Sequence, residues 1–586
     1  MRQWMVAAKK ADFYVIAEKF HVDPVVARII RNREVIGEKN IRIYLGGNLS
    51  DLSDPHQMKD MDRLVEILAQ KIRKQVHIRI IGDYDVDGVT SSHLFLTALR
   101  RVGAKVDVVI PHRIQDGYGL SLHLLQQAKE DGVDTILTCD NGIAAIDEIA
   151  WAKAQKMTVL VTDHHAVPFE EHEGRRTEKK SLADAVVNPH QQDCGYPYKE
   201  LCGAGVAWNV IRVLYENYDM DKREAEDLLD FVAMATVCDV MSLTGENRIL
   251  VKEGLKRIRH TKNIGLQALM QACNVQPENI SAYHFGYVLG PCVNATGRLD
   301  TARHALRLFE TGQETEAEEI ARDLVDLNQE RKELTLQGVE MAKKLCEEGG
   351  YENDPVLVLF LPDVHESIAG LIAGRIREMY NRPVFVLTRG EEGVKGSGRS
   401  TENYSMYENM CGCAELFTKF GGHPMAAGLS LPKENVEKFR RKINENCPLT
   451  VEEVCPDIHI DMAMPVGYAS TELVHQFALL EPFGKDNPSP LFADRNLSIS
   501  RMWLIGKNRN VLRMSVLSEY GQPVPVIFFG DVETLFAYFT EKFGQEEVEN
   551  ALHGRKNRIL FSMVYTAKID FYQGNENLQL EMKYYR

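Results

Sequence analysis

The chain has 586 residues, with 44% hydrophobic and 26% charged side chains. That is too long for one hydrophobic core, which stops growing at about 250–300 residues, and too apolar for a disordered chain. The formal net charge of −15 excludes a uniformly basic coat but not a local basic groove, which dominates the field at short range.

The N-terminal stretch MRQWMVAAKKADFYVIAEKF carries Lys9, Lys10 and Asp12, which break up any signal-peptide apolar region. No apolar run approaches the ~20 residues of a membrane-spanning helix, so the expectation is a soluble, cytoplasmic protein without a membrane partner. Residues 1–60 read as a helical arm, with FYVIAEKF and DPVVARIIRNR as two short helices. A packing arm is preferred there over a helix-turn-helix DNA reader. From 61 to 245, apolar strands (VHIRII, VDVVIP, TILTCD, TVLVTDHH, DAVVNP) alternate with helices, the signature of a parallel sheet covered on both faces. Residues 246–345 read as a helical connector ending in a long amphipathic pattern, TEAEEIARDLVDLNQERKELTLQGVEMAKKLCEEG. A second α/β unit follows over 346–450, with strands PVLVLFLP and PVFVLTR around a helix at Ile368–Tyr380. Beyond a Pro-containing junction, 451–586 shows short alternating strands, an all-β pattern consistent with a small barrel. The eleven cysteines are scattered, and Cys139, Cys202 and Cys238 sit in apolar stretches, so reduced, buried thiols are expected. Cys411 and Cys413 lack a second pair to complete a zinc ribbon.

Four segments carry the chemistry. In IIGDYDVDGVTSS an apolar strand runs into Asp83, Asp85 and Asp87. Residues two apart in extended chain point the same way, so three carboxylates should crowd one side of the strand end. Such a cluster needs a raised pKa or a cation. Gly88 is expected to let the backbone turn tightly into the next helix. The rival reading, a solvated acidic turn, is disfavoured because ligands of open parallel sheets bind at strand carboxyl ends. Asp140 ends the strand TILTCD, and by itself would be a helix cap. Asp163, His164 and His165 end TVLVTDHH, and imidazole with carboxylate suits manganese-type ions. Asp239 sits in the apolar run FVAMATVCDVMSL, where a buried carboxylate is costly unless paired or bound to metal. Together these residues supply a two-metal site that clamps a phosphoryl displacement, with water as the nucleophile.

DYDVDG, CDNG, TDHH and ATVCD, in this order, resemble the DHH phosphoesterase superfamily, and more closely its RecJ branch of single-strand-specific exonucleases. IPHRIQDGYGLS, LCGAGVAW, LTGENRILV, LGPCVNATGRLDTA, LNQERK, KGSGRS, FGGHPMAAGLSL and LEPFGKDNPSPLF extend the resemblance over roughly residues 65–500. It implies a DHH catalytic domain, a DHH-associated substrate-binding domain, and an OB-like barrel that holds DNA by stacking and backbone charge. It further implies manganese or magnesium and 5′→3′ hydrolysis of single-stranded DNA in repair and recombination. Single-stranded-DNA-binding protein and repair helicases are the partners it suggests. Asp83, Asp85, Asp87, Asp140, His164 and Asp239 are the implied metal ligands, with Asp140 bridging. Asp140, His164 and His165 are the implied catalytic set, His165 facing the scissile phosphate. Arg113, Ser397 and Arg399 are implied to cradle the terminal 5′-phosphate, with Arg298, Gln329 and His423 as further substrate contacts.

The chain departs from the family pattern in places. PDVHESIAG keeps His365 of a His-Pro-Gly stretch, Cys292 stands where an Arg is common, and EPFGKDNP has Lys-Asp where a Gly usually falls. The alternatives are a phosphoesterase on short oligoribonucleotides or cyclic dinucleotides, whose branches lack the long helix and barrel, and an inactive DNA-binding scaffold, which would have lost an acid from one of the four motifs.

Overall fold

The computed structural model describes all residues except 1–2, 114–115, 117–118, 173–174, 300, 352, 391–392, 455–456, 507–508 and 573, with side chains at 171, 172, 175, 176 and 572 also set aside. Parts of IPHRIQDGYGLS and LGPCVNATGRLDTA, and the Cys-Pro of the junction, lie outside the described residues. The chain forms two compact units, Asn48–Pro456 and Arg2–Gly47 with Asp457–Arg586.

In the first unit, five strands form a parallel sheet in the spatial order Val106–Val109, Ile78–Ile81, Thr135–Cys139, Thr158–Thr162, Ala185–Val187. The central strands are buried on both faces, which is why they read as continuous apolar runs rather than alternations. Helices Val86–Arg101 and Gly203–Asn217 pack on this sheet, and their Leu94, Phe95, Trp208 and Leu214 enter its core. A two-stranded hairpin, Phe169–His172 with Arg175–Glu178, interrupts the alternation; the strand-and-helix reading does not contain it.

Residues 246–345 are helical among the described residues and end in the 35-residue helix Glu314–Glu348. It leads into a five-stranded mixed sheet in which Val384–Arg389, Val394–Arg399 and Ala426–Leu431 are central and Leu357–Phe360 lies at one edge, crossed by helix Glu366–Tyr380. Gly396 and Gly398 let that sheet pack closely, since a Cβ at Gly398 would fall 2.3 Å from Met406 Sδ.

In the second unit, Val25, Val26, Ile29 and Ile30 of helix Pro24–Asn32 share one core with Leu473, Phe477, Leu480 and the strands beyond 490. A bidentate pair ties the same segments: Arg33 Nη1 and Nη2 donate to Asp461 Oδ1 and Oδ2 at 2.7 and 3.0 Å. The six-stranded sheet runs through Phe492–Ile505, Val511–Leu517, Pro523–Phe528, Leu560–Tyr572 and Asn575–Tyr585. The all-β reading omits two helices inserted in it, Val532–Phe543 and Gln545–Leu552. Asp531 caps the first by accepting from Thr534 N at 3.1 Å, and the buried Leu535 and Phe539 lie one turn apart on its inner face.

Candidate metal centre and substrate groove

The strand Ile78–Ile81 stops two residues before Asp83, so Asp83, Asp85 and Asp87 do not line one face of an extended chain as the spacing predicted. Asp83 lies in the loop, and Asp85 is the N-cap of helix Val86–Arg101, accepting from Gly88 N at 3.0 Å. Asp87 sits in the first helical turn, and its carboxylate accepts from Gly203 N at 2.6 Å and Ala204 N at 2.7 Å. Those amides open helix Gly203–Asn217, a partial positive charge that suits a carboxylate. Gly88 serves close approach rather than a left-handed turn, because a Cβ there would fall 2.4 Å from Asp83 O. Gly203 has the same role toward Asp140, with a Cβ 2.6 Å from Asp140 Cβ.

Asp140 follows its strand in the left-handed region at φ 61°. Asn141 braces the turn, its Nδ2 donating to Ile81 O at 3.0 Å and Cys139 O at 2.9 Å across two neighbouring strands. His164 Nε2 lies 3.1 Å from Asp140 Oδ1, 3.5 Å from Asp239 Oδ2 and 3.7 Å from Asp87 Oδ2. Asp239 is the C-cap of helix Leu229–Cys238 and is half-buried, not enclosed as its apolar sequence context suggested. Three sets of ligand atoms therefore converge, each within 4.8 Å: Asp83, Asp85 and Asp140; Asp87, His164 and Asp239; Asp140, His164 and His165. Asp140 belongs to two of them, and so does His164.

The electrostatics are those of a site built around cations. Burial, then the charge of Asp85, holds the Asp83 carboxyl well above the usual range. Burial, then Asp87 and the other carboxylates, does the same to Asp140. Asp83 Oδ1 and His164 Nε2 are buried and make no hydrogen bond. Burial lowers the pKa of His164, leaving the neutral imidazole that ligates metal. These donors fit manganese or magnesium: hard carboxylate oxygens with one imidazole, and no thiolate.

Asp163 has a role the sequence reading did not assign. Its Oδ1 accepts from His164 N, His165 N and His165 Nδ1 at 2.7, 3.1 and 2.7 Å, and its Oδ2 accepts from Ile143 N at 2.9 Å. Burial opposes charge on His165, but the Asp163 hydrogen bond and the nearby carboxylates outweigh it and raise its pKa to about 9. Asp immediately before two His at a strand end was the signal for this orienting group.

A cavity of about 430 Å³ is lined by Tyr84, Arg113, Ser367, Lys395, Ser397 and Lys419. Arg113 lies over the Tyr84 ring at 5.0 Å. Arg399 and Ser397 reach the same spot, for a Cβ at Gly370 would fall 2.8 Å from Arg399 Nη2 and 3.0 Å from Ser397 Oγ. Arg298 Nη1 donates to Ser367 O at 2.6 Å. Burial, then Arg113, Arg331 and Arg399, pushes the Arg298 pKa down to about 10, and burial with Arg113 and Arg377 lowers that of Arg399. Like-charged guanidiniums held this close favour an anion among them. Two predicted contacts are not brought to this groove. The exposed Gln329 donates its amide to Glu333 at 2.7 Å, and His423 is exposed at the end of strand Lys419–His423. Tyr84, Lys395 and Lys419 line the groove without having been singled out in the sequence.

Three family models match: the DHH family N-terminal domain at residues 77–236, the DHHA1 domain at 353–447 and the RecJ OB domain at 460–584. The single-stranded-DNA-specific exonuclease RecJ of Bacillus subtilis (strain 168) is 33% identical over 511 residues, covering 86% of this chain and 63% of that protein. The RecJ of Haemophilus influenzae is 32% identical over 582 residues, 96% of each chain, and that of Escherichia coli K12 is 31% identical over 95% of each. The crystal structure of RecJ with Mn2+ from Thermus thermophilus has the same fold, with a TM-score of 0.79 at 24% identity, covering 100% of this chain and 79% of that one. A structure of exonuclease RecJ bound to manganese matches at a TM-score of 0.57 and 31% identity, covering 66% of this chain and 94% of its own. With identity sustained from end to end in relatives of the same domain content, the chain belongs to the RecJ family of single-stranded-DNA-specific exonucleases.

Proposed function

We propose that the chain hydrolyses single-stranded DNA from its 5′ end, one phosphodiester at a time, with two divalent cations, Mn2+ or Mg2+, in the carboxylate cluster. The observation that carries the reading is the shared position of Asp140 between two sets of buried ligand atoms, beside a groove lined by cations. Asp83, Asp85, Asp87, Asp140, His164 and Asp239 would hold the ions, and Asp140 belongs to two of the converging ligand sets. When bound, the pair supplies Lewis acidity toward the phosphate and lowers the pKa of water. The two backbone amides on Asp87 and the packing of Gly203 against Asp140 fix the carboxylates before any ligand arrives. His165, oriented by Asp163, offers a hydrogen bond to the scissile phosphate. Arg113, Ser397 and Arg399 take the terminal 5′-phosphate, and Arg298 meets the strand. A terminal phosphate held in the arginine groove would favour cleavage at a strand end over cleavage within the strand.

No helix among the described residues is long and apolar enough to cross a membrane. A cytoplasmic setting, with single-stranded-DNA-binding protein and repair helicases as partners, belongs to the same reading. The test is a time course on 5′- and 3′-labelled oligonucleotides with manganese and with chelator. The reading expects immediate release of the 5′ label as mononucleotide, a 3′ label that shortens stepwise, no cleavage with chelator, and little action on blunt duplex. Release of both labels at equal rates would refute it.

A further inference from the structure

Cys273 and Cys292 bring their sulfurs to 3.8 Å. Cys273 caps the C-terminus of helix Ile264–Ala272 and is half-buried, within reach of solvent. Cys292 is 2% exposed, inside helix Gly290–Leu299, where it stands as one of this chain's departures from the family pattern. The pair is unequal. The hydrogen bond to Cys292, then the nearby charge of Lys332, lowers the pKa of Cys273, whereas that of Cys292 is raised. A partly exposed, thiolate-prone cysteine beside a buried thiol is the arrangement that hydroperoxides oxidise selectively.

The helix that carries Cys292 also serves the metal loop and the groove. Asn294 Oδ1 accepts from Val86 N at 3.1 Å, beside the carboxylate cluster. Gly297 packs so closely on the same loop that a Cβ would fall 2.4 Å from Tyr84 O. Arg298 reaches Ser367. On the other side, Asn328 Nδ2 donates to Cys292 Sγ at 3.4 Å while its Oδ1 accepts from Arg331 Nη2 at 2.8 Å.

We propose that Cys273 and Cys292 form a reversible disulfide on exposure to a hydroperoxide, and that the bond lowers nuclease activity by displacing the helix that holds Asn294 and Arg298. The thiolate of Cys273 attacks the terminal oxygen of the peroxide, the O–O bond breaks, and the departing alkoxide or hydroxide takes a proton. The sulfenic acid on Cys273 is then attacked by the sulfur of Cys292, which loses its proton as water leaves. Two thiols and one hydrogen peroxide thus give one disulfide and two waters. The sulfurs must close from 3.8 Å to about 2.05 Å. In a close-packed interior that closure draws the Cys292 helix toward the helix end that carries Cys273. In a reducing compartment the pair rests as dithiol, so the bond is a transient, signal-dependent state.

The test uses the full-length protein in metal-free buffer with chelator, treated with hydrogen peroxide, alkylated and digested without reductant for mass spectrometry. The expected result is a peptide pair linked through Cys273 and Cys292 as the main oxidised product, removed by dithiothreitol. With manganese restored, the oxidised protein should cut single-stranded DNA at least fivefold more slowly, and dithiothreitol should restore the rate. Cys273→Ser should keep the reduced rate and resist peroxide. Absence of the linked pair, a complete link with an unchanged rate, or equal inhibition of Cys273→Ser would each overturn the proposal. The rate effect rests on the exonuclease reading. Should the reduced protein show no nuclease activity, that reading fails, while the peptide map still decides the thiol chemistry.

Discussion

The carboxylate cluster and the arginine groove are opposite answers to one problem, and they come from different parts of the sequence. In the first, the buried Asp83 and Asp140 and the half-buried Asp85 lie together, and desolvation with mutual repulsion raises the pKa of each of these three. In the second, Arg298 and Arg399 are half-buried near Arg113, and desolvation with mutual repulsion lowers their pKa values. Hydrogen bonds from the chain, such as Gly88 N to Asp85 and Arg298 to Ser367 O, offset only part of the desolvation, and like charges add to its cost. The repayment must come from what binds: cations in one place, an anionic phosphate in the other. A strand with a phosphate at its 5′ end and a cleavable phosphodiester next to it is a ligand that answers both.

The largest way to break this comparison is to remove the shared acid. Asp140→Ala should lower turnover on single-stranded DNA by several kcal/mol of barrier, on the order of 10³-fold, with circular dichroism unchanged. Near-normal turnover would mean that the cluster is not the centre of reaction. On the opposite charge, Arg399→Ala should cost about 2–3 kcal/mol, or ~30- to 160-fold in kcat/KM, on a 5′-phosphorylated strand. The loss should be several-fold smaller on a 5′-hydroxyl strand; equal losses on both would detach Arg399 from the terminal phosphate.

Asp230 sharpens the contrast as a buried carboxylate with neutral partners, accepting from Thr261 Oγ1 at 2.6 Å and Phe231 N at 2.9 Å. Burial raises its pKa to about 6. A raised carboxylate binds its proton more tightly in the folded state, so its contribution is favourable at low pH and is lost as pH rises from about 4 to about 6. Asp230→Asn should therefore be more stable than the wild type at pH 7 by about 2–3 kcal/mol in urea unfolding, with the advantage gone near pH 4. A pH-independent difference would show that ionisation of Asp230 is not what costs stability. The smallest expected effect is Ser397→Ala, which removes one hydroxyl hydrogen bond to the charged phosphate, worth about 1.5 kcal/mol, or ~10-fold in KM for a 5′-phosphorylated strand. An unchanged KM would remove Ser397 from the phosphate pocket.

The metal cluster was legible in the sequence because parallel-sheet ligands fall at strand ends, and Asp140, Asp163 and His164 directly follow continuous apolar runs. What the period-two argument misjudged was the loop between Gly82 and Val86. It uses close backbone packing at Gly88 to send Asp87 into a helix, and that depends on atoms of Asp83 and Gly203 rather than on spacing. The groove was legible through family resemblance for Arg113, Arg298 and Arg399, which come from three separate segments with no local pattern to join them, and Arg331 was not singled out. Gln329 and His423 are not among the residues lining the cavity: Gln329 is exposed and donates to Glu333, and His423 is exposed two residues beyond the lining Gly421. The helices at Val532–Phe543 and Gln545–Leu552 were missed because flanking β-rich runs dominated the reading, although a capping Asp531 and helical spacing of Leu535 and Phe539 were present.

Anomalous diffraction at the manganese edge from crystals soaked in Mn2+ tests the central claim most directly. Two peaks about 3.5–4 Å apart, both within bonding distance of Asp140, are the predicted result. An empty cluster at saturating manganese, or a single ion away from Asp140, would contradict it.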